Sequence, residues 1–201
     1  MTENTEMPGS GPRGRRGRPR SLETETAILQ AAYRLAAGEG LGAASIDAVA
    51  RASQVSKMTI YKWWPSREAL LIDAFLRQAA ALLPMAEQGD PRAVLREHAA
   101  AYARLLGEDF GRVQRAIIAE CIAKTGTASL FAERYLAARR QLGVALIRRG
   151  QALGTIRADI AAADLYDRIY GTLFYQSLFG WRAVSPRYAR ALVDSLLTGG
   201  T

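Results

Sequence analysis

Cysteine and histidine are almost missing from these 201 residues, each occurring once, as Cys121 and His98. A single cysteine cannot close an intrachain disulfide, so a secreted scaffold held by cross-links is excluded. One cysteine and one histidine do not make the usual structural zinc site, and no metal is expected. A Ser-His-Asp or Cys-His arrangement would have to run through His98 alone. With no nucleophile–base pair, no catalytic residue and no cofactor is expected, and an enzyme is a remote reading. The β-branched residues are also scarce: Val and Ile supply 7 and 11 positions against 37 Ala and 23 Leu, which argues for helices over strands. No apolar run approaches the roughly 18 residues of a membrane span. Residues 1–20 hold no Leu, Ile, Val, Phe, Tyr or Trp, so they offer no apolar core for a signal peptide. The expectation is a soluble, cytoplasmic, all-α protein.

What is abundant is positive charge. Lys and Arg number 27 against 19 Asp and Glu, a formal +8, which favours a polyanionic partner without choosing between nucleic acid and an anionic membrane. Five arginines crowd into residues 13–20 with no acid among them. That segment is polar and rich in Gly and Pro, and residues 1–20 read as a disordered arm. From Ser21 onward the pattern is helical. Ala27, Ile28, Ala31, Ala32 and Leu35 form one apolar stripe, with Glu23 and Glu25 near the start, and glycines 38, 40 and 42 follow. Gly38 to Ala43 fits G-x-G-x-x-A, but it follows a helix rather than a strand and is a loop, not a dinucleotide site.

Two short helices come next. Ser45 caps the first, which lasts about two turns. Ser56 caps the second, Lys57 to Trp63, with Ile60 and Trp64 facing inward. Ser66 opens a longer amphipathic helix that stops at Pro84. Two short helices joined by a tight turn within residues 21–84 have the layout of a helix-turn-helix, whose second helix enters the major groove. The outward residues of that helix are Lys57, Met58, Thr59, Tyr61, Lys62 and Trp63. Lys57 can bond the O6/N7 edge of guanine and Met58 can touch a thymine methyl. Thr59, Tyr61, Lys62 and Arg67 can reach phosphates, and the helix N-termini at Ser45 and Ser56 can face them. The same residues could simply solvate a small helical unit. Against that, seven residues make a poor helix without strong packing, and a Tyr and a Trp beside lysines suit a merely solvated face badly.

The stretch from Ala27 to Phe75 resembles the N-terminal domain of TetR-family transcriptional regulators. The resemblance is carried by Ser45 to Ser53 and above all by Val55 to Leu71, V-S-K-M-T-I-Y-K-W-W-P-S-R-E-A-L-L. It implies phosphate contacts from Ser45, Thr59, Tyr61, Trp63 and Arg67, and base contacts from Lys57 and Met58, with Tyr61 able to take either part. Two positions depart from the family pattern. Gln54 stands where the turn commonly has Gly, which implies a strained turn, and Trp64 replaces the usual Phe. In the arm, Arg16-Gly17-Arg18-Pro19-Arg20 resembles an AT-hook core, which would lay Arg16, Arg18 and Arg20 in a narrow minor groove; a solubilising tail is the alternative.

Residues 85–201 read as about five helices, near 91–106, 109–124, 128–151, 162–181 and 186–198, with Asp90-Pro91 and Ser185-Pro186 as starts. The family resemblance implies a C-terminal helical domain for homodimerisation and for a small-molecule effector. Leu165, Ile169, Leu173, Phe174, Leu178, Phe179 and Trp181, with Tyr188, Leu192, Val193 and Leu196, would make a four-helix dimer interface, or else an intramolecular core. Tyr102, Phe110, Phe131, Tyr135, Tyr170 and Tyr175 are candidate pocket residues. Cys121, among isoleucines, reads as a small buried hydrophobe. The expected function is a homodimeric regulator of a near-palindromic operator in double-stranded DNA. It would most simply be a repressor released by a small molecule, without membrane contact. An architectural DNA binder with no ligand is the alternative.

Overall fold

The first helix begins at a serine cap. The Ser21 side chain accepts from the amide of Thr24, and α1 runs Leu22–Gly38 with Ile28, Ala31, Ala32 and Ala36 buried. This computed structural model describes residues 21–124, 126–180 and 182–198. A short 3₁₀ turn, Leu41–Ala43, leads to α2, Ile46–Ser53, and α3, Lys57–Trp63. Helix α4, Arg67–Leu82, packs its buried face against α1. Then follow α5, Pro91–Leu106, α6, Asp109–Ala123, and α7, Thr127–Phe131; a π turn, Ala132–Leu136, runs directly into α8, Ala137–Ala152. Helices α9, Ala162–Phe179, and α10, Pro186–Leu197, complete the described residues, which contain no strand. The predicted 128–151 helix is therefore continuous in path but carries one wide turn. The helix expected over 162–181 stops earlier, at Gly180 in the left-handed conformation (φ 63°).

The short helices are fixed at their ends by local bonds. Ser45 and Ser56 accept from the amides of Ala48 and Thr59, at 3.1 and 3.2 Å. At the end of α2 the Val55 amide bonds to Ala50 and the Gln54 amide to Arg51, the double bond pattern of a Schellman motif. That motif needs its middle residue left-handed. Gln54 takes it at φ 57°, the one positive-φ residue other than glycine among those described, so the strained turn implied by the missing glycine is present. Ile60 and Trp64 are fully buried, as their spacing predicts.

The second half is tied together by a buried polar group rather than by apolar contact alone. His98 on α5 is buried; its Nδ1 lies 2.7 Å from Tyr170 Oη on α9, and its Nε2 lies 2.8 Å from Arg139 Nη2 on α8. Arginine only donates, so Nε2 must accept and the proton sits on Nδ1, where it donates to Tyr170. Burial, reinforced by the Arg139 charge, pushes the imidazole down to about 4. Helix α10 lies along α5, held by Arg92 and Arg96 to Asp194 and by Arg190 to Glu97.

This packing corrects part of the expected dimer seam. Leu165, Ile169, Leu173 and Val193 are fully buried within the chain, because α9 and α10 turn those faces onto α5 and α8. Phe174, Tyr188, Leu192 and Leu196 are half-buried, Leu178 and Phe179 are exposed, and Trp181 lies outside the described residues.

Two outcomes are expected. Gln54→Gly should stabilise the chain by up to about 1 kcal/mol by relieving the left-handed strain, read from the urea midpoint. The His98 imidazole is lowered in the folded chain, so below pH 6.5 the unfolded chain binds a proton that the folded chain refuses. Stability should therefore be full above that pH and fall by about 2–3 kcal/mol on going to pH 4.5. His98→Gln should flatten that fall between the two pH values.

Candidate nucleic-acid interface and internal cavity

On α3, buried and exposed residues separate cleanly. Lys57, Met58, Tyr61 and Lys62 are exposed, Met58 at 79%, while Thr59 and Trp63 are half-buried. Ser56 spends its hydroxyl on the α3 cap and on Thr59 Oγ1 at 3.0 Å. Ser45 is likewise the cap of α2. Lys57 Nζ pairs with Asp47 Oδ1 at 2.8 Å, but both side chains are more than half exposed, so the pair is weak and readily exchanged. Trp63 packs partly onto the core, its ring 5.8 Å from that of Trp64. Together these residues leave one basic, partly apolar helix face open, of a width suited to a major groove.

Arg67 is placed otherwise than predicted. Its Nε donates to Ala44 O at 2.9 Å, Nη2 to Leu41 O, and Nη1 to Glu120 Oε1 at 2.6 Å. Three protein acceptors hold it, and it belongs to the contact between α4 and α6 rather than to the open face. Lys124 extends that contact, bridging Glu120 at 2.8 Å and Glu68. Burial alone would raise the Glu68 carboxyl; the Lys124 ammonium, a backbone hydrogen bond and the Arg67 charge together outweigh it and hold the group below its ordinary value. Arg16, Arg18 and Arg20 lie outside the described residues.

Beneath α3, a second link runs inward. Trp64 donates its indole N–H to Asp73 Oδ2 on α4 at 2.9 Å, and Arg134 in the π turn donates to the same oxygen at 2.7 Å. The residue beside Arg134 is Tyr135, whose ring packs 5.0 Å from that of Phe75 on α4. Tyr135 also forms part of the wall of a cavity of about 420 Å³ bounded by α5, α6, α7, the π turn, α8 and α9.

Four of the six predicted pocket residues line this cavity: Tyr102, Phe131, Tyr135 and Tyr170. Phe110 does not. It is buried at the start of α6, between Phe75 at 4.7 Å and Tyr102 at 6.4 Å. Tyr175 does not either; α9 turns it outward, 56% exposed, with its ring against Phe179. The residues not foreseen are His98, Gln114, Arg139 and Tyr166. A signal for them was present as three pairs spaced i, i+4 on three helices, His98/Tyr102, Tyr135/Arg139 and Tyr166/Tyr170, each pair placing two polar rings or a ring and a cation on one face. Tyr102 donates to Gln114 Oε1 at 3.2 Å. Burial raises the phenols of Tyr102, Tyr135, Tyr166 and Tyr170, that of Tyr166 to about 12, so all four remain donors at neutral pH. Cys121 is buried at the cavity wall, as expected, and burial raises its thiol.

Among the described residues no cluster of His, Cys, Asp and Glu could hold a metal, and no helix is long and apolar enough to cross a membrane. Two family models match the chain: the bacterial regulatory proteins of the tetR family over residues 28–74, and a tetracyclin repressor-like C-terminal domain over residues 85–196. The uncharacterized HTH-type transcriptional regulator YdeS of Bacillus subtilis (strain 168) is 34% identical over 185 residues, covering 92% of this chain and 93% of its own. The crystal structure of the TetR family transcription regulator SCO0332 superposes with a TM-score of 0.80 at 31% identity, over 89% of this chain and 99% of that one. FadR from Bacillus subtilis shares the fold with a TM-score of 0.65 at 16% identity, over 88% and 99% of the two chains. The regulators among these relatives are transcription factors rather than enzymes. An open basic α3 held between capped helices, matched in family model and in sequence over nearly the whole chain, has one meaning: the chain belongs to the TetR family of DNA-binding transcriptional regulators.

Proposed function

We propose that the chain is a cytoplasmic, homodimeric repressor that leaves a near-palindromic operator when a small molecule fills the cavity. The observation that carries this reading is the shared carboxylate of Asp73, which joins Trp64 at the end of α3 to Arg134 beside the cavity wall. A ligand that prefers one position of the π turn thereby biases the position of α3, and differential affinity between two states is all that release requires. A cavity of about 420 Å³ falls within the range of small-molecule sites. A structural neighbour supports an effector: FadR from Bacillus subtilis is known in complex with stearoyl-CoA.

In this reading residues 21–84 are the reader and residues 85–201 the effector and dimerisation part. Lys57 and Met58 read bases. Ser45, Ser56, Thr59, Tyr61, Lys62 and Trp63 meet the backbone, with Arg16, Arg18 and Arg20 of the arm 1–20 in the adjacent minor groove. Arg67 is left out, because its donors are already engaged within the chain. The exposed Leu178 and Phe179, beside Tyr175 near the end of α9, are the apolar patch that a second copy would cover.

Selection of bound sequences from random duplex DNA at physiological salt tests the reading. One inverted repeat is the expected result; enrichment of A·T-rich tracts without dyad symmetry would favour an architectural binder instead. On the selected operator, Tyr61→Phe should weaken binding about three- to tenfold, and Lys57→Ala should change which half-site is preferred. An equal loss on every sequence would make Lys57 a phosphate contact. Phe179→Glu should shift the chain from dimer to monomer in sedimentation velocity while leaving its helix content unchanged.

A further inference from the structure

The cavity is rich in donors, and on its wall stands a buried cation, Arg139, that pairs with no carboxylate among the described residues. Arg139 is more than nine-tenths buried. Both of its bonds leave from Nη2, to Leu83 O at 2.7 Å and to His98 Nε2 at 2.8 Å, and both acceptors are neutral. Among the described residues no carboxylate pairs with it, and Nε and Nη1 have no protein acceptor. The one acid on the cavity wall, Asp167, is held at both oxygens by Arg140, at 2.9 and 2.8 Å. A buried cation left in this condition is costly unless something brings the opposite charge.

The tautomer of His98 adds a second donor. Because Nδ1–H donates to Tyr170 Oη, the hydroxyl proton of Tyr170 must point to another acceptor, and none is present among the described residues. Gln114 is buried on the same wall and receives Tyr102 on its carbonyl oxygen, which leaves its NH₂ to donate. Beside the phenols of Tyr135 and Tyr166 and the Arg140–Asp167 pair, the lining is apolar, with Ile118, Ile122, Phe131, Leu136 and Phe174. A pocket of tyrosine faces would ordinarily suit an organic cation, but Arg139 opposes one.

We propose that the effector is a small organic anion, a carboxylate on an apolar body, whose oxygens are held by the Arg139 guanidinium and the Tyr170 hydroxyl. Both two-bond forks of a guanidinium use Nη2, which is already spent on Leu83 and His98, so a carboxylate oxygen takes a single charge-assisted bond from Nη1 or Nε and keeps lone pairs for further donors. The apolar body then lies among Ile118, Ile122 and Phe174. The inference rests on the ligand-responsive reading above, naming the chemistry of its ligand.

Isothermal titration calorimetry of the full chain at neutral pH with decanoate, decanamide and decylammonium tests it. Decanoate should bind at one per chain, about tenfold or more tighter than decanamide, and decylammonium should not bind. Arg139→Gln should erase the difference between acid and amide. Because Arg139 also holds Leu83 and His98, Tyr170→Phe is the second variant: it removes one hydroxyl. It should weaken decanoate about three- to tenfold and leave decanamide unchanged. Equal binding of acid and amide, tighter binding of the ammonium, or no saturable decanoate binding below about 1 mM overturns the anion proposal. Release of the selected operator DNA is measured alongside. Decanoate that binds without releasing DNA upholds the anion site and overturns the ligand-responsive reading; release by the neutral or cationic probe does the reverse.

Discussion

Helix α3 is seven residues long and has too few internal hydrogen bonds to persist in water by itself. It packs on α2, and its end is tied to α4 through Asp73. The Asp73 carboxylate takes the indole N–H of Trp64 from one side and the guanidinium of Arg134 from the other. The same helix lays Phe75 against Phe110 and Tyr135. One helix is thus structural wall to both halves, and its charged residue is shared between them. Arg67, drawn inward to Ala44, Leu41 and Glu120, makes a second tie at the other end of the same contact. The exposed face of α3 is therefore tied, through α4, to the π turn and to α6, whose residues line the cavity.

The polar groups of the second half serve a different end from its apolar core. A well-packed core would not place a cation, a neutral histidine and four phenols around a void, since each buried polar group costs stability unless it is paired. Here the pairing is incomplete: Nε and Nη1 of Arg139 and the hydroxyl proton of Tyr170 have no acceptor among the described residues. The apolar cluster around Leu165, Ile169, Leu173, Val193 and Ile147 is fully sealed and supplies the stability that this arrangement gives away.

Much of the architecture was legible because its signals are local. Ser45, Ser56, Ser66, Asp90 and Ser185 each cap the helix that follows, and a cap is decided by a residue and the three amides after it. Ile60 and Trp64 could be assigned inward from spacing alone. The misplacements share one cause. Arg67 is chemically as apt for phosphate as any exposed arginine, and it is the carbonyls of Leu41 and Ala44, with Glu120 arriving 53 residues later, that remove it from the open face. Phe110 and Tyr175 have the right chemistry for a pocket wall, but helix rotation and the fit of α6 against α4 decide which ring meets the void. Arg139 and Arg140 are neighbours in a basic stretch, and nothing local tells which is buried. The i, i+4 pairing of Arg139 with Tyr135 was the available hint.

The π turn has a consequence for phase. Phe131, Tyr135, Arg139, Gly143 and Ile147 are all buried and recur every four residues. A regular α-helix turns roughly 100° per residue, so this spacing would drift roughly 40° at each step and roughly 160° over the four steps. A single extra residue taken into the π turn cancels roughly 100° of that drift. It keeps Phe131 at one end and Ile147 at the other on nearly the same side of one continuous helix. The extra residue therefore decides which side chains meet the void: Tyr135 and Arg139 line the cavity, while Arg134 beside Tyr135 meets Asp73.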